Sequence, residues 1–202
     1  HQGLYDLAYL RALPNLVVMA PKDENELRHM LATAIAHPGP AAVRFPRGAG
    51  IGVPLDPDLK AIPIGQAELL RDGTDAAVIA LGSMVHPALE AAAELAAEGL
   101  SVAVLNARFV KPIDRERIAG LARRCAVLVT VEEHSAVAGF GAAVLETLAA
   151  AGIEVPVRCL GVPDGLLEHG DPAALLAELG LDAAGIARAV REAVAAARVS
   201  GA

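Results

Sequence analysis

The chain has 202 residues, 54% of them hydrophobic and 20% charged, with a mean hydropathy of +0.46, which suits one or two α/β units around buried sheets and excludes a disordered chain. Its 17 Lys plus Arg against 24 Asp plus Glu give a formal charge of -7, without the basic excess of a nucleic-acid footprint, so no nucleic-acid partner is expected. No charge-free apolar run approaches the roughly 18 residues of a membrane span, and Pro38, Gly82 and Pro87 interrupt the apolar stretches, so no membrane association is expected either.

In chain order, residues 16–19 form a short apolar run, and residues 23–36 carry Leu27, Met30, Leu31 and Ala34 at helical spacing behind Asp23. This predicts a strand and its capped helix. Residues 41–44 read as a second buried strand that runs into Phe45, Pro46, Arg47 and Gly48, so Arg47 falls on a loop at a strand's C-terminal end. Between residues 49 and 63 the periodicity lapses among Gly50, Gly52, Pro54, Pro57 and Pro63, the composition of an ordered but irregular linker and the place for a domain boundary.

A regular alternation follows: strands over 76–81, 101–105, 126–131 and 155–160, and helices over 84–98, 115–124 and 139–151. Apolar, Val-rich strands joined by helices predict a doubly wound, mostly parallel sheet. Ser83 is expected to cap the first of these helices, Asp114 the next, and Asp171 with Pro172 to open one that Gly180 closes. Over residues 182–198, Ile186, Val190, Ala193, Val194 and Ala197 share one stripe and predict an amphipathic helix on the sheet.

Cys125 and Cys159 lack Cys-x-x-Cys spacing and read as small buried hydrophobes. The chain opens without an initiator Met, a basic stretch or an apolar leader core. Such a start is the kind a fragment or a processed chain has, and the cysteine usage leads to the expectation of a cytoplasmic protein. His29, His37, His86 and His169 have no mutual spacing for a metal, so packing or surface roles and no metal site are expected. Gly139 and Gly141 follow a strand, but position 144 is Val rather than Gly, so a nucleotide loop is disfavoured.

Six strings occur in order: HQGLYDLAYLR (1–11), PNLVVMAPKDENELR (14–28), AVRFPRG (42–48), ARFVKPID (107–114), LVTVEEH (128–134), and GVPD (161–164) leading to GLDAAG (180–185). Together they resemble the 1-deoxy-D-xylulose-5-phosphate synthase family, thiamine-diphosphate enzymes of the transketolase class. The resemblance implies the end of a pyrimidine-binding α/β domain over 1–50, a linker over 51–65, and a transketolase C-terminal-like domain over 66–202. It implies condensation of pyruvate with D-glyceraldehyde 3-phosphate to 1-deoxy-D-xylulose 5-phosphate and carbon dioxide, with thiamine diphosphate and Mg2+ as cofactors and a homodimer as the working form. In this family the glycine-aspartate-glycine metal motif and the glutamate that activates the aminopyrimidine lie upstream of the matched segment. Neither is found here, so no cofactor-binding or metal residue is assigned. The chain by itself, without the N-terminal portion of the protein, is expected to be inactive.

The resemblance makes His1 an active-site histidine, and an imidazole suits reactions that move protons on and off oxygen near neutral pH. Spacing alone would leave it a terminal exposed residue. Arg47 resembles the arginine that grips the substrate phosphate, for which a planar guanidinium offers a bidentate fork; its plain alternative is a surface loop ion pair. Arg44 is expected to serve structure, by reaching an internal carboxylate, more than the site. Glu132, Glu133 and His134 end a buried strand, and a direct role for His134 stays open. Two rivals remain: transketolase or a 2-oxo-acid dehydrogenase beta subunit, and a non-catalytic α/β dimerisation module.

Overall fold

In the computed structural model, residues 3–200 are described, the side chain of Ser200 excepted. The chain starts with a short helix α1 (Asp6–Leu10), strand β1 (Val17–Met19), helix α2 (Glu24–Ala36) and strand β2 (Ala41–Val43), parallel to β1. Asp23 is extended, and its carboxylate accepts the Glu26 N–H at 2.8 Å, which fixes where α2 begins. The expectation of a buried second strand needs correction. β1 is fully buried, but every residue of β2 is half-buried, because β2 is the edge of a three-stranded sheet whose centre is β1 and whose other edge is contributed by Phe109–Lys111.

The larger sheet has the order β3-β5-β4-β7-β8, formed by β3 (Glu68–Arg71), β4 (Ala76–Ala80), β5 (Val102–Asn106), β7 (Val127–Ser135) and β8 (Val157–Val162). It is parallel except for β3. The period of two along β4 sends Ala76, Val78 and Ala80 to one face and Ala77 and Ile79 to the other. The first face is covered by α3 (Val85–Ala97) and α7 (Ala183–Ser200), the second by α4 (Arg115–Arg124) and α5 (Phe140–Ala150). This is the expected doubly wound arrangement. Ile186, Val190 and Val194 bury the α7 stripe, and each such side chain contributes about 1.5–3 kcal/mol.

The helix starts follow the sequence at Asp114 and at Asp171, which opens α6 (Pro172–Glu178). At Ser83 they do not. Residues Gly82–Met84 form a 3-10 turn, and the Ser83 hydroxyl donates to Glu133 Oε2 at 2.6 Å instead of capping α3. Cys125 is buried and burial pushes its thiol pKa up, whereas Cys159 on the edge strand β8 is only half-buried.

Strand β6 (Phe109–Lys111) leaves the second unit and pairs antiparallel with β1. It carries Phe109 into a small core with Val17, Met19, Met30 and Ile62. Leu7, Val18 and Ala20 in turn pack into the core beneath the larger sheet. Among the described residues, no helix is long and apolar enough to cross a membrane.

Candidate functional site

Two parallel strands end beside each other where the units meet. At β2, the Arg44 N–H donates to Met19 O at 2.8 Å and continues the β1 pairing one residue beyond the strand. The chain then turns outward, and Phe45, Pro46 and Arg47 are exposed. Among the described residues, none pairs with Arg47, so its guanidinium is free to meet an anion. Arg44 lies differently. Its Nη2 donates to Gly3 O at 3.2 Å and to Glu133 O at 2.6 Å, and its Nε stands 3.7 Å from Asp6 Oδ2. Arg44 therefore joins three segments, as the structural expectation held. His1 lies outside the described residues.

At β7, Glu132 and His134 are fully buried. The Glu132 carboxylate accepts the N–H groups of Phe140 at 2.6 Å and Gly141 at 2.7 Å, sitting on the N-terminus of α5. This is the position at which a doubly wound sheet offers backbone donors to a phosphate, and here an internal carboxylate fills it. The two glycines make room for that carboxylate and its surroundings. A Cβ at Gly139 would overlap Glu132 Oε2 and lie 2.6 Å from Ser135 O, and one at Gly141 would lie 2.8 Å from both Cys159 Sγ and Thr130 Oγ1. His134 accepts the Leu7 N–H at Nε2, 3.0 Å away, so its proton resides on Nδ1, which donates to Ser135 O at 2.9 Å. No face of this ring is open to a substrate.

A third cluster, not singled out from the sequence, closes the seam. Glu26, 2% exposed, accepts Asn106 Nδ2 at 2.9 Å, Arg108 Nε at 2.7 Å and the Lys22 N–H at 2.8 Å. Arg108 also donates to Glu68 at 2.8 Å, and Lys22 Nζ stands 3.3 Å from Glu26 and 3.4 Å from Glu68. The signal lay within strings already noted, since Glu26 belongs to DENELR and Arg108 to ARFVKPID. Their neighbours hold the segment between β2 and β3. Glu24 accepts from the N–H groups of Ile51, Gly52 and Val53, and Arg28 donates to Asp56 O. His29, buried rather than on the surface, accepts the Lys60 N–H and donates from Nε2 to Asp56 at 2.9 Å. The bond from His29, then that from Asn25, holds the Asp56 carboxyl below its usual range.

This arrangement, a doubly wound domain into which the end of a second α/β unit is laced, has matches among known proteins. The model of the transketolase C-terminal domain matches residues 65–186, and that of the transketolase pyrimidine-binding domain matches residues 1–51. The chain belongs to the transketolase family. Among curated relatives of the chain, 1-deoxy-D-xylulose-5-phosphate synthase 1 of Geobacter sulfurreducens is 56% identical over 197 residues, 97% of the chain and 31% of the relative. The protein of the same name from Geobacter metallireducens is 59% identical over 192 residues, 95% of the chain and 31% of its own length. The chain thus spans about a third of the curated relatives it matches. Among solved structures, a split-gene transketolase described as an inactive beta4 tetramer superposes with a TM-score of 0.85 at 38% identity, covering 96% of this chain and 62% of that one. Transketolase from Campylobacter jejuni, at 19% identity and a TM-score of 0.69 over 95% of this chain and 28% of its own, shares the fold.

Proposed function

We propose that this chain is the C-terminal part of a 1-deoxy-D-xylulose-5-phosphate synthase. In this reading residues 1–50 end the pyrimidine-binding domain, 51–65 link, and 66–202 form the C-terminal domain. The enzyme condenses pyruvate with D-glyceraldehyde 3-phosphate, releases carbon dioxide and feeds isoprenoid, thiamine and pyridoxal synthesis. The observation that carries the reading is likeness: 56% and 59% identity to synthases over nearly the whole chain, against 38% to the split-gene transketolase.

The chemistry supplied by thiamine diphosphate with Mg2+, when bound, is an electron sink for decarboxylation. Within the described residues the α5 N-terminus is already filled by Glu132, so residues of the N-terminal portion hold the diphosphate and its metal. His1 and Arg47 act on the substrates. The His1 imidazole exchanges a proton with the carbonyl oxygen of the reacting substrate. Arg47 grips the aldehyde's phosphate, and its exposed guanidinium, without a partner among the described residues, supports that role. Binding at the far end of the aldehyde then fixes the reacting carbon. The working form is a cytoplasmic homodimer, and the chain without its N-terminal portion is inactive, a reading supported by the inactive tetramer of the split-gene relative.

The test is an assay of the full-length protein with thiamine diphosphate and Mg2+, measuring carbon dioxide release from pyruvate. Release that rises with added D-glyceraldehyde 3-phosphate, with 1-deoxy-D-xylulose 5-phosphate as product, is expected. Ketose-to-aldose transfer without pyruvate consumption would identify a transketolase instead.

A further inference from the structure

Residues 3–7, the segment immediately downstream of His1, cross the C-terminal end of β7. Leu4 is buried in the core on one face of the larger sheet and Leu7 in the core on the other. Between these two anchors, the end of β7 and Arg44 take up the segment's backbone groups. The Ser135 N–H donates to Leu4 O at 2.8 Å, Leu7 N–H donates to His134 Nε2 at 3.0 Å, and Arg44 Nη2 bridges Gly3 O and Glu133 O. The His134 ring is itself fixed, because its Nδ1 donates to Ser135 O and faces Glu132 Oε2 at 3.5 Å. Arg44 precedes Arg47 by three residues, so the same guanidinium ties the carrier of His1 to the strand that leads to the phosphate arginine.

We infer that His134 and Arg44 are positioning residues for the synthase reaction, forming a bracket from the C-terminal domain and β2 that fixes residues 3–7, which follow His1 in the chain, against the strand that leads to Arg47. This inference rests on the proposed role of His1. His134 touches no substrate, because it is wholly enclosed; it acts by fixing the backbone of residues 3–7, the segment that follows His1 in the chain. Displacing a reacting group by about 1 Å costs up to about 100-fold in rate, so the bracket's effect falls on turnover rather than on substrate binding.

The experiment is a double-mutant cycle in the full-length enzyme. His134→Leu removes the acceptor for Leu7 N–H, and His134→Gln returns an oxygen that reaches it. The expected result for His134→Leu is a kcat lower by about 10- to 100-fold with the KM for D-glyceraldehyde 3-phosphate within about twofold of the parent. His134→Gln should recover most of the rate. In a His1→Ala background, His134→Leu should add no further loss. The inference is overturned if His134→Leu leaves kcat unchanged, or if it multiplies the His1→Ala loss by the same factor that it imposes on the parent. If His134→Leu does not fold, Arg44→Met, which keeps the stem and removes both donors, is read against His1→Ala in the same way. A His1→Ala enzyme of full activity fails differently, since it removes the role of His1 itself and the bracket's purpose with it.

Discussion

The ends of β2 and β7 occupy equivalent places, both at the C-terminal edge of a parallel pair where α/β folds bind ligands, yet they are finished in opposite ways. Past β7 the backbone donors of α5 are occupied by Glu132, the ring of His134 is enclosed, and Gly139 leaves room for the carboxylate. Past β2 the chain leaves the surface, and Arg47 stands exposed with no partner among the described residues. The first end is built as support and the second as a grip. Position in the fold marks both as candidates, and only the state of their polar groups tells which one is open to a ligand.

The largest expected effect comes from unsealing the closed end. Glu132→Ala leaves the N–H groups of Phe140 and Gly141 buried without an acceptor and should destabilise the full-length protein by about 3 kcal/mol. Thermal unfolding measures this, and added sulfate should raise the Tm of the variant more than that of the parent, since the helix N-terminus is then available to an anion. A Tm equal to the parent's would show that Glu132 is not the seal. At the open end, Arg47→Ala should leave the Tm within experimental scatter and raise the KM for D-glyceraldehyde 3-phosphate roughly 30-fold, the worth of one or two charge-assisted hydrogen bonds. The KM for pyruvate should hardly move. Equal rises for both substrates would remove the phosphate role and with it the contrast between the two ends.

The larger sheet was legible because its apolar strands, separated by helices of period 3.6, state the same fold at each level. α4 begins and ends as its residues require, since Asp114 supplies a cap that needs no distant partner. The misses share a cause. β6 is three residues long and is defined by pairing with β1, some ninety positions away in the chain, so no local pattern marks it. Ser83 sits where a cap would, but a distant carboxylate, that of Glu133, takes its hydroxyl. At the site, exposure of Arg47 could be read from Pro46 and Gly48, whereas the enclosure of His134 and the seam around Glu26 arise from partners in the other unit. The DENELR string was visible as a resemblance without its mechanics, which require the segment at residues 51–60 to be folded back on it.

That folded-back segment begins a few residues beyond Arg47, and its hold on the open end is titratable. The carboxylate of Glu24 is bonded by its own backbone N–H first and then by those of Gly52, Val53 and Ile51, which together outweigh its desolvation and keep its pKa below the usual glutamate range. A depressed folded-state value means that the carboxylate's contribution is fully present above the unfolded value and is lost as pH falls through the folded one. From neutral pH down to the usual glutamate range the grip therefore holds, and below it the three amides are released. Hydrogen exchange at Ile51, Gly52 and Val53 in the full-length protein, corrected for the intrinsic pH dependence, should show protection that falls away only on the acid side. Glu24→Gln should lower that protection at neutral pH and flatten its pH dependence, with the amide at Ile62, which donates to Thr33 Oγ1 instead, unaffected. If the parent and Glu24→Gln share one pH profile at the three amides, the segment is held by something other than this carboxylate, and the approach to Arg47 is not set by α2.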